Sequence, residues 1–168
     1  LVPSIDLAVN AGASPCVATS SVQVNQNFET DVPGLFACGN TLHVHDLVDY
    51  VTEESKTAGR CAAVYAQKGG PKPIEEIAFV PSSPITYTVP QKIQPDLVSE
   101  DLTLRFRTNQ VLEYAKVVVR AGDAIIASFP KRVMAPGEMQ TVILPLAKIQ
   151  PYFGKTTAFT IETEVGTK

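Results

Sequence analysis

The sequence predicts a mixed fold, in which a partial α/β segment in residues 1–70 is followed by an all-β antiparallel sandwich in residues 71–168. In the first part, a short apolar run precedes a long stretch with apolar residues at three- and four-residue steps, which is typical of a strand and an amphipathic helix. In the second part, short segments of alternating apolar and polar residues recur between turn signals, which is typical of antiparallel sheets.

The first part contains one turn between two strand signals and then a helix signal. Residues 22–24 alternate apolar and polar, and Thr30-Asp31-Val32-Pro33-Gly34 is a turn in which Pro33 presets φ and Gly34 supplies a positive φ. The apolar run from Leu35 to Cys38 predicts a strand buried on both faces of a parallel sheet. The helix is expected to extend roughly from Val44 to Gln67.

A boundary is expected near residue 70, because Gly69-Gly70-Pro71-Lys72-Pro73 follows the predicted helix. Glycine and then proline is the usual signal that stops a helix. The formal charge also changes there, from −4 over residues 1–70 to +1 over residues 71–168. We therefore divide the chain into domains 1–70 and 71–168.

The second domain has the pattern of an immunoglobulin-like sandwich of about seven strands. The clearest strand signals lie at residues 85–89, 102–107, 115–119, 124–129, 139–144 and 158–164. A hairpin turn is expected at residues 120–123. No helix longer than one turn is expected after residue 71.

Composition excludes several classes of protein. With 45% hydrophobic and 18% charged residues, the chain is too apolar to be disordered. It contains no apolar stretch of about 18 residues, so no membrane span is predicted. A net charge of −3, without a block of Lys or Arg, argues against a nucleic-acid partner. Three widely spaced cysteines fit neither a disulfide framework nor a zinc site, and they favour a cytoplasmic location. Because the chain opens on Leu1 rather than Met, we expect a piece of a longer protein or N-terminal processing.

The most informative motif is Thr30-Asp31-Val32-Pro33-Gly34-Leu35-Phe36-Ala37-Cys38-Gly39-Asn40. It resembles the second FAD-binding motif of the FAD/NAD(P)-dependent pyridine nucleotide-disulfide oxidoreductase family, in which a threonine, a turn and an apolar strand precede Ala-x-Gly-Asp. The likeness covers roughly residues 1–67. It implies that these residues are the C-terminal segment of a Rossmann-like FAD-binding domain, comprising its closing strand and helix.

The resemblance implies cofactor contacts at Gly39, Asn40, Thr41 and His43. Gly39 would allow the backbone to approach the ribityl chain or the pyrophosphate without a Cβ in the way. The family usually has aspartate where this sequence has Asn40, whose amide accepts and donates hydrogen bonds but carries no charge. The amino end of the following helix would face the bound group.

The run from Gly39 to Asp49 includes both histidines of the chain, His43 and His45. It looks like a branch of these flavoproteins that includes NAD(FAD)-dependent dehydrogenases. Either histidine would face the flavin or substrate, or else both are capping or surface residues. On a helix, residues two apart diverge by about 200°, so no metal site is predicted. No residue of the chain is predicted to be catalytic.

We therefore expect the C-terminal portion of an FAD-dependent, NAD(P)-linked oxidoreductase. No Gly-x-Gly-x-x-Gly fingerprint occurs in the sequence, so FAD and NAD(P) would be held largely by upstream domains or a partner subunit. The isolated chain is expected to be inactive and to bind FAD weakly or not at all. The alternative is a non-catalytic β-sandwich that serves as a binding or assembly module. Both the oxidoreductase portion and the binding module would allow a homo-oligomer.

Overall fold

The computed structural model describes residues 3–70 and 75–165, and the chain divides into two compact units, Leu1–Lys72 and Pro73–Lys168. The predicted mixed fold is confirmed: the long helix lies in the first unit, and the second unit is built from mostly antiparallel sheets. The predicted loop at Pro71, Lys72 and Pro73 lies outside the described residues.

The first unit contains little regular structure before its long helix. Its elements are α1 (Asp6–Asn10), the antiparallel pair β1 (Pro15–Cys16) and β2 (Ser21–Val22), and α2 (Val48–Lys68). The helix α2 begins four residues after the expected start at Val44. The intervening backbone has other partners, since the His45 amide donates to the Asn40 side chain and Leu47 is extended.

The predicted parallel strand from Leu35 to Cys38 is wrong. Residues 28–37 instead turn back on themselves, with Glu29 and Phe36 forming an isolated antiparallel bridge. The Thr30 amide donates to the Leu35 carbonyl at 2.8 Å, and Gly34 has φ +81°, as the predicted turn requires. A strand buried on both faces needs neighbouring strands, and within residues 3–70 the only strand pair is β1 with β2.

The second unit is a sandwich of two sheets. The five-stranded sheet has the order β5-β3-β10-β7-β8, and the three-stranded sheet has the order β4-β6-β9. The strands are β3 (Ile77–Pro81), β4 (Ile85–Val89), β5 (Lys92–Ile93), β6 (Leu102–Thr108), β7 (Leu112–Ala121), β8 (Ala124–Met134), β9 (Gln140–Leu144) and β10 (Ala158–Val165).

Two features of the sandwich differ from the sequence prediction. The short strands β3 and β5 were not expected, and β3 pairs with β10 in parallel, so the sandwich is not wholly antiparallel.

Between β9 and β10, the single helical turn α3 (Leu146–Ile149) continues into a 3₁₀ turn, Gln150–Tyr152. The expected hairpin is present, and Gly122 supplies its positive φ of +55°.

The hydrophobic core of the second unit lies between its two sheets. It includes Phe106 and Leu104 on β6 and Phe159 and Ile161 on β10, and all four side chains are fully buried. Along strands such as β6 and β9, alternate residues point into this core, which is why the strand periodicity could be recognised in the sequence.

Candidate functional site

The apolar run ends in one turn of 3₁₀ helix, Gly39–Thr41. Gly39 has φ +66°, a left-handed conformation that favours glycine. A Cβ at this position would lie 3.2 Å from Val51 Cγ1 on α2. The backbone conformation and the close approach of α2 therefore both favour glycine here, before any cofactor is considered.

We expect Gly39→Ala to destabilise the first unit by about 1–3 kcal/mol, because alanine must adopt the left-handed conformation and displace Val51. Denaturant unfolding followed by the helical circular dichroism signal measures this change. Gly59→Ala is the matched control: at this exposed position in α2, an added Cβ meets no described atom within 4 Å. It should stabilise α2 by about 0.5–1 kcal/mol, and equal effects of the two substitutions would contradict the assignment.

Asn40 and Thr41 lie on the surface of this turn and are exposed. The Asn40 Oδ1 atom accepts a hydrogen bond from the His45 amide at 3.1 Å, and the Thr41 carbonyl accepts one from the Ser21 hydroxyl at 2.6 Å. Gly39 is buried. The structure thus presents two of the four predicted cofactor residues, Asn40 and Thr41, to solvent.

The fourth predicted residue, His43, belongs to a buried cluster that also contains His45 and Glu54. His43 Nε2 lies 2.8 Å from Glu54 Oε1, and His45 Nε2 lies 3.0 Å from Glu54 Oε2. The imidazole side chains are 1% exposed and the Glu54 side chain is 0% exposed. The two rings meet edge to face, with centroids 4.4 Å apart.

The expectation that His43 and His45 diverge is wrong, because it assumed a helix at these positions. The segment between the 3₁₀ turn and α2 is irregular, and it directs both imidazoles toward the same carboxylate. The geometric argument against a metal pair therefore does not apply. Neither histidine is a surface residue, and neither lies within α2.

Glu54 lies on the second turn of α2, and its carboxylate is the centre of the cluster. Burial alone would raise its pKa, but hydrogen bonds and charge interactions with His43 and His45 outweigh burial and lower the pKa to about 2. An ionised carboxylate only accepts hydrogen bonds, so each Nε2 carries the proton that it donates to Glu54. The Gly39 amide donates a further hydrogen bond to Glu54 Oε2 at 3.1 Å.

One nitrogen of the cluster is not satisfied. His45 Nδ1 is buried and has no hydrogen-bond partner among the described residues. Leaving a buried polar atom unpaired costs about 1–3 kcal/mol. Buried polar atoms in native structures are usually paired with protein or with an ordered water.

Sequence reasoning missed Glu54, although a signal was present. The apolar face of the helix includes Val51 and Ala58, and Glu54 lies three residues after the first and four before the second. It is therefore a charged residue on a buried face. Such a residue is rarely fully buried unless it is paired.

The cluster contains groups that can bind cations and hold protons, but it contains no thiol or hydroxyl group. The nearest cysteine along the chain, Cys38, contacts the Ser55 hydroxyl at 3.6 Å through its sulfur and is separate from the cluster.

No protein-family model matches this sequence, and neither a curated protein nor a solved structure is significantly similar to it. In the described part of the chain, no helix combines the length and the hydrophobicity needed to cross a bilayer.

Proposed function

We propose that this chain is the C-terminal portion of an FAD-dependent, NAD(P)-linked oxidoreductase, in which the first unit contributes flavin contacts and the sandwich is an interaction domain. The observation that carries the proposal is the run from Thr30 to Asn40, which ends in an exposed polar turn directly after a buried alanine and a left-handed glycine. Hydride transfer belongs to the cofactors, and the protein binds and orients them.

Asn40 and Thr41 are the proposed contacts with FAD. Their exposed amide and hydroxyl groups suit the hydroxyls of a ribityl or ribose chain, because each group can both accept and donate a hydrogen bond. Gly39 shapes the turn that presents them. His43 is enclosed and paired with Glu54, so we assign it to positioning this segment rather than to direct contact with the ring.

The pyrophosphates of FAD and NAD(P) would be held outside this chain. The glycine-rich fingerprint that binds a pyrophosphate does not occur in the sequence, so an upstream domain or a partner subunit would supply it. The chain's three widely spaced cysteines, Cys16, Cys38 and Cys61, suit a reducing, cytoplasmic location.

The isolated chain should bind FAD weakly or not at all, because it contributes only part of the proposed site. Fluorescence titration of FAD with the purified chain measures this affinity. A submicromolar dissociation constant would contradict the division of the site between this chain and another segment.

In a preparation that includes the upstream partner, Asn40→Ala should weaken FAD binding by about five- to tenfold, the value of one or two hydrogen bonds. Asn40→Asp should retain binding, since it keeps the acceptor that holds the His45 amide. Asn109→Ala, at an exposed asparagine in the sandwich, is the control. Equal affinity in Asn40→Ala and in the control would exclude Asn40 from the site.

The alternative is that the sandwich is a non-catalytic binding or assembly module. It is favoured by the chemistry of residues 71–168, which include neither histidine nor cysteine. Light scattering after size exclusion distinguishes the two functions. A self-associating chain that remains colourless when its upstream partner is supplied would support the alternative, whereas a yellow complex would support the flavoprotein.

A further inference from the structure

We infer that His43, His45 and Glu54 bind a divalent transition-metal cation of the Zn²⁺ type. Two imidazoles and one carboxylate are a donor set that zinc and its neighbours bind in proteins. One ligand atom from each of these residues lies within 4.8 Å of the other two. This inference goes beyond the proposed flavin function and does not depend on it.

The spacing of the donor atoms suits one small ion. At zinc–ligand distances of about 2.0–2.1 Å, two ligands of a tetrahedral site lie about 3.3 Å apart. The observed separations from Nε2 to the carboxylate oxygens are 2.8 Å for His43 and 3.0 Å for His45. Each of these distances, to a different oxygen of Glu54, is a few tenths of an ångström shorter than that spacing. Before it binds an ion, each Nε2 must lose the proton that it donates to Glu54: a neutral imidazole carries that proton on Nδ1 instead, and an imidazolium releases it.

The surroundings of the cluster already fix two of the three ligands. The Gly39 amide holds Glu54 Oε2, and the Asn40 side chain holds the backbone at His45. A hydrogen bond to the ligating group itself, such as that from Gly39 to Glu54, orients metal ligands in established sites, whereas the Asn40 contact holds only the backbone of His45. These contacts therefore help to hold the loop that carries the histidines next to the helix that carries the carboxylate.

A second observation points to a bound species. His45 Nδ1 is buried without a partner among the described residues, so hydrogen bonding within the cluster does not satisfy all of its polar atoms. An ordered water on the side of the ring away from Nε2 accounts for such an atom. The cation itself is inferred from the convergence of the Glu54 carboxylate and the two Nε2 atoms on the other side of the rings.

The burial of the site indicates what the ion would do. The three side chains are at most 1% exposed, so a cation held there is enclosed by the protein. It would link the segment between Gly39 and Leu47 to α2, with a water completing the coordination. The expected role is structural, because binding joins two parts of the chain that otherwise meet through hydrogen bonds.

The test uses the full chain refolded with Zn²⁺ or Co²⁺, because an enclosed site is best loaded during folding. After free metal is removed, elemental analysis should give one ion per chain. The Co²⁺ form should show visible d–d bands without a thiolate-to-cobalt charge-transfer band. The imidazole signals of both histidines should shift in ¹⁵N-edited NMR spectra. These signals are easy to assign because the chain contains only two histidines.

Variants then assign the ligands. His45→Ala and Glu54→Gln should each reduce affinity for Zn²⁺ by at least about tenfold. Glu53→Gln, which removes the same charge from the neighbouring exposed position of α2, should not. The wild-type spectra keep the test valid if a variant fails to fold. Any one of four results would overturn the inference. The chain could retain no metal, the Co²⁺ form could show a thiolate-to-cobalt band, the histidine signals could stay unshifted, or His45→Ala could bind Zn²⁺ with unchanged affinity.

Discussion

Replacing Glu54 with alanine should destabilise the first unit by about 3–5 kcal/mol when no metal is present. The carboxylate accepts hydrogen bonds from His43, His45 and the Gly39 amide, so its removal takes this acceptor away from three buried donors. Breaking a buried polar network by deleting one partner has costs of this size. Unfolding in denaturant with a chelator present, followed by the helical signal of α2, measures the change.

The controls for this prediction lie on the same helix. Glu53→Ala alters the adjacent exposed position and should change stability by no more than about 0.5 kcal/mol. Glu54→Gln should fall between the two, because its amide keeps one acceptor and loses the charge. If Glu54→Ala were as stable as Glu53→Ala, the cluster would not hold the segment before α2 in place.

The sequence predicted the turn of the candidate site better than its buried partners. Gly39 and Asn40 could be singled out in the sequence because a glycine and a polar residue after an apolar run form a local pattern, although the left-handed conformation of Gly39 was not predicted. The pairing of His43 with Glu54 could not, since it joins residues 11 apart through an irregular segment whose path follows from tertiary contacts. Assigning a helix to that segment made the two histidines diverge, whereas the actual backbone brings them together.

The strands of the fold likewise could be predicted only where the pattern is local. Strands such as β4 and β6 were predicted nearly to the residue because alternation marks a strand with one buried face. The short strands β3 and β5 escaped, since two to five residues give little periodicity. The run from Leu35 to Cys38 is strongly apolar, but composition does not specify a partner, and in this structure its neighbour is the preceding arm of a turn rather than a parallel sheet.

In the sandwich, Phe106→Ala should destabilise the second unit by about 3–5 kcal/mol, because a fully buried aromatic ring is replaced by a cavity. Hydrogen exchange read by mass spectrometry is the suitable measurement, since it reports protection separately for peptides from each unit. Peptides covering β4, β6 and β9 should lose protection together, because β6 is the central strand of that sheet.

A matched control separates the loss of core packing from a general effect on the sheet. Ile143 lies on the neighbouring strand β9, but its side chain points outward and is 57% exposed. Ile143→Ala should therefore shift stability by no more than about 0.5 kcal/mol, and Phe106→Leu, which keeps most of the volume, should cost about 1–1.5 kcal/mol. The same loss of protection in all three variants would mean that the sheet is held by its strand pairing, and that the core between the two sheets contributes little.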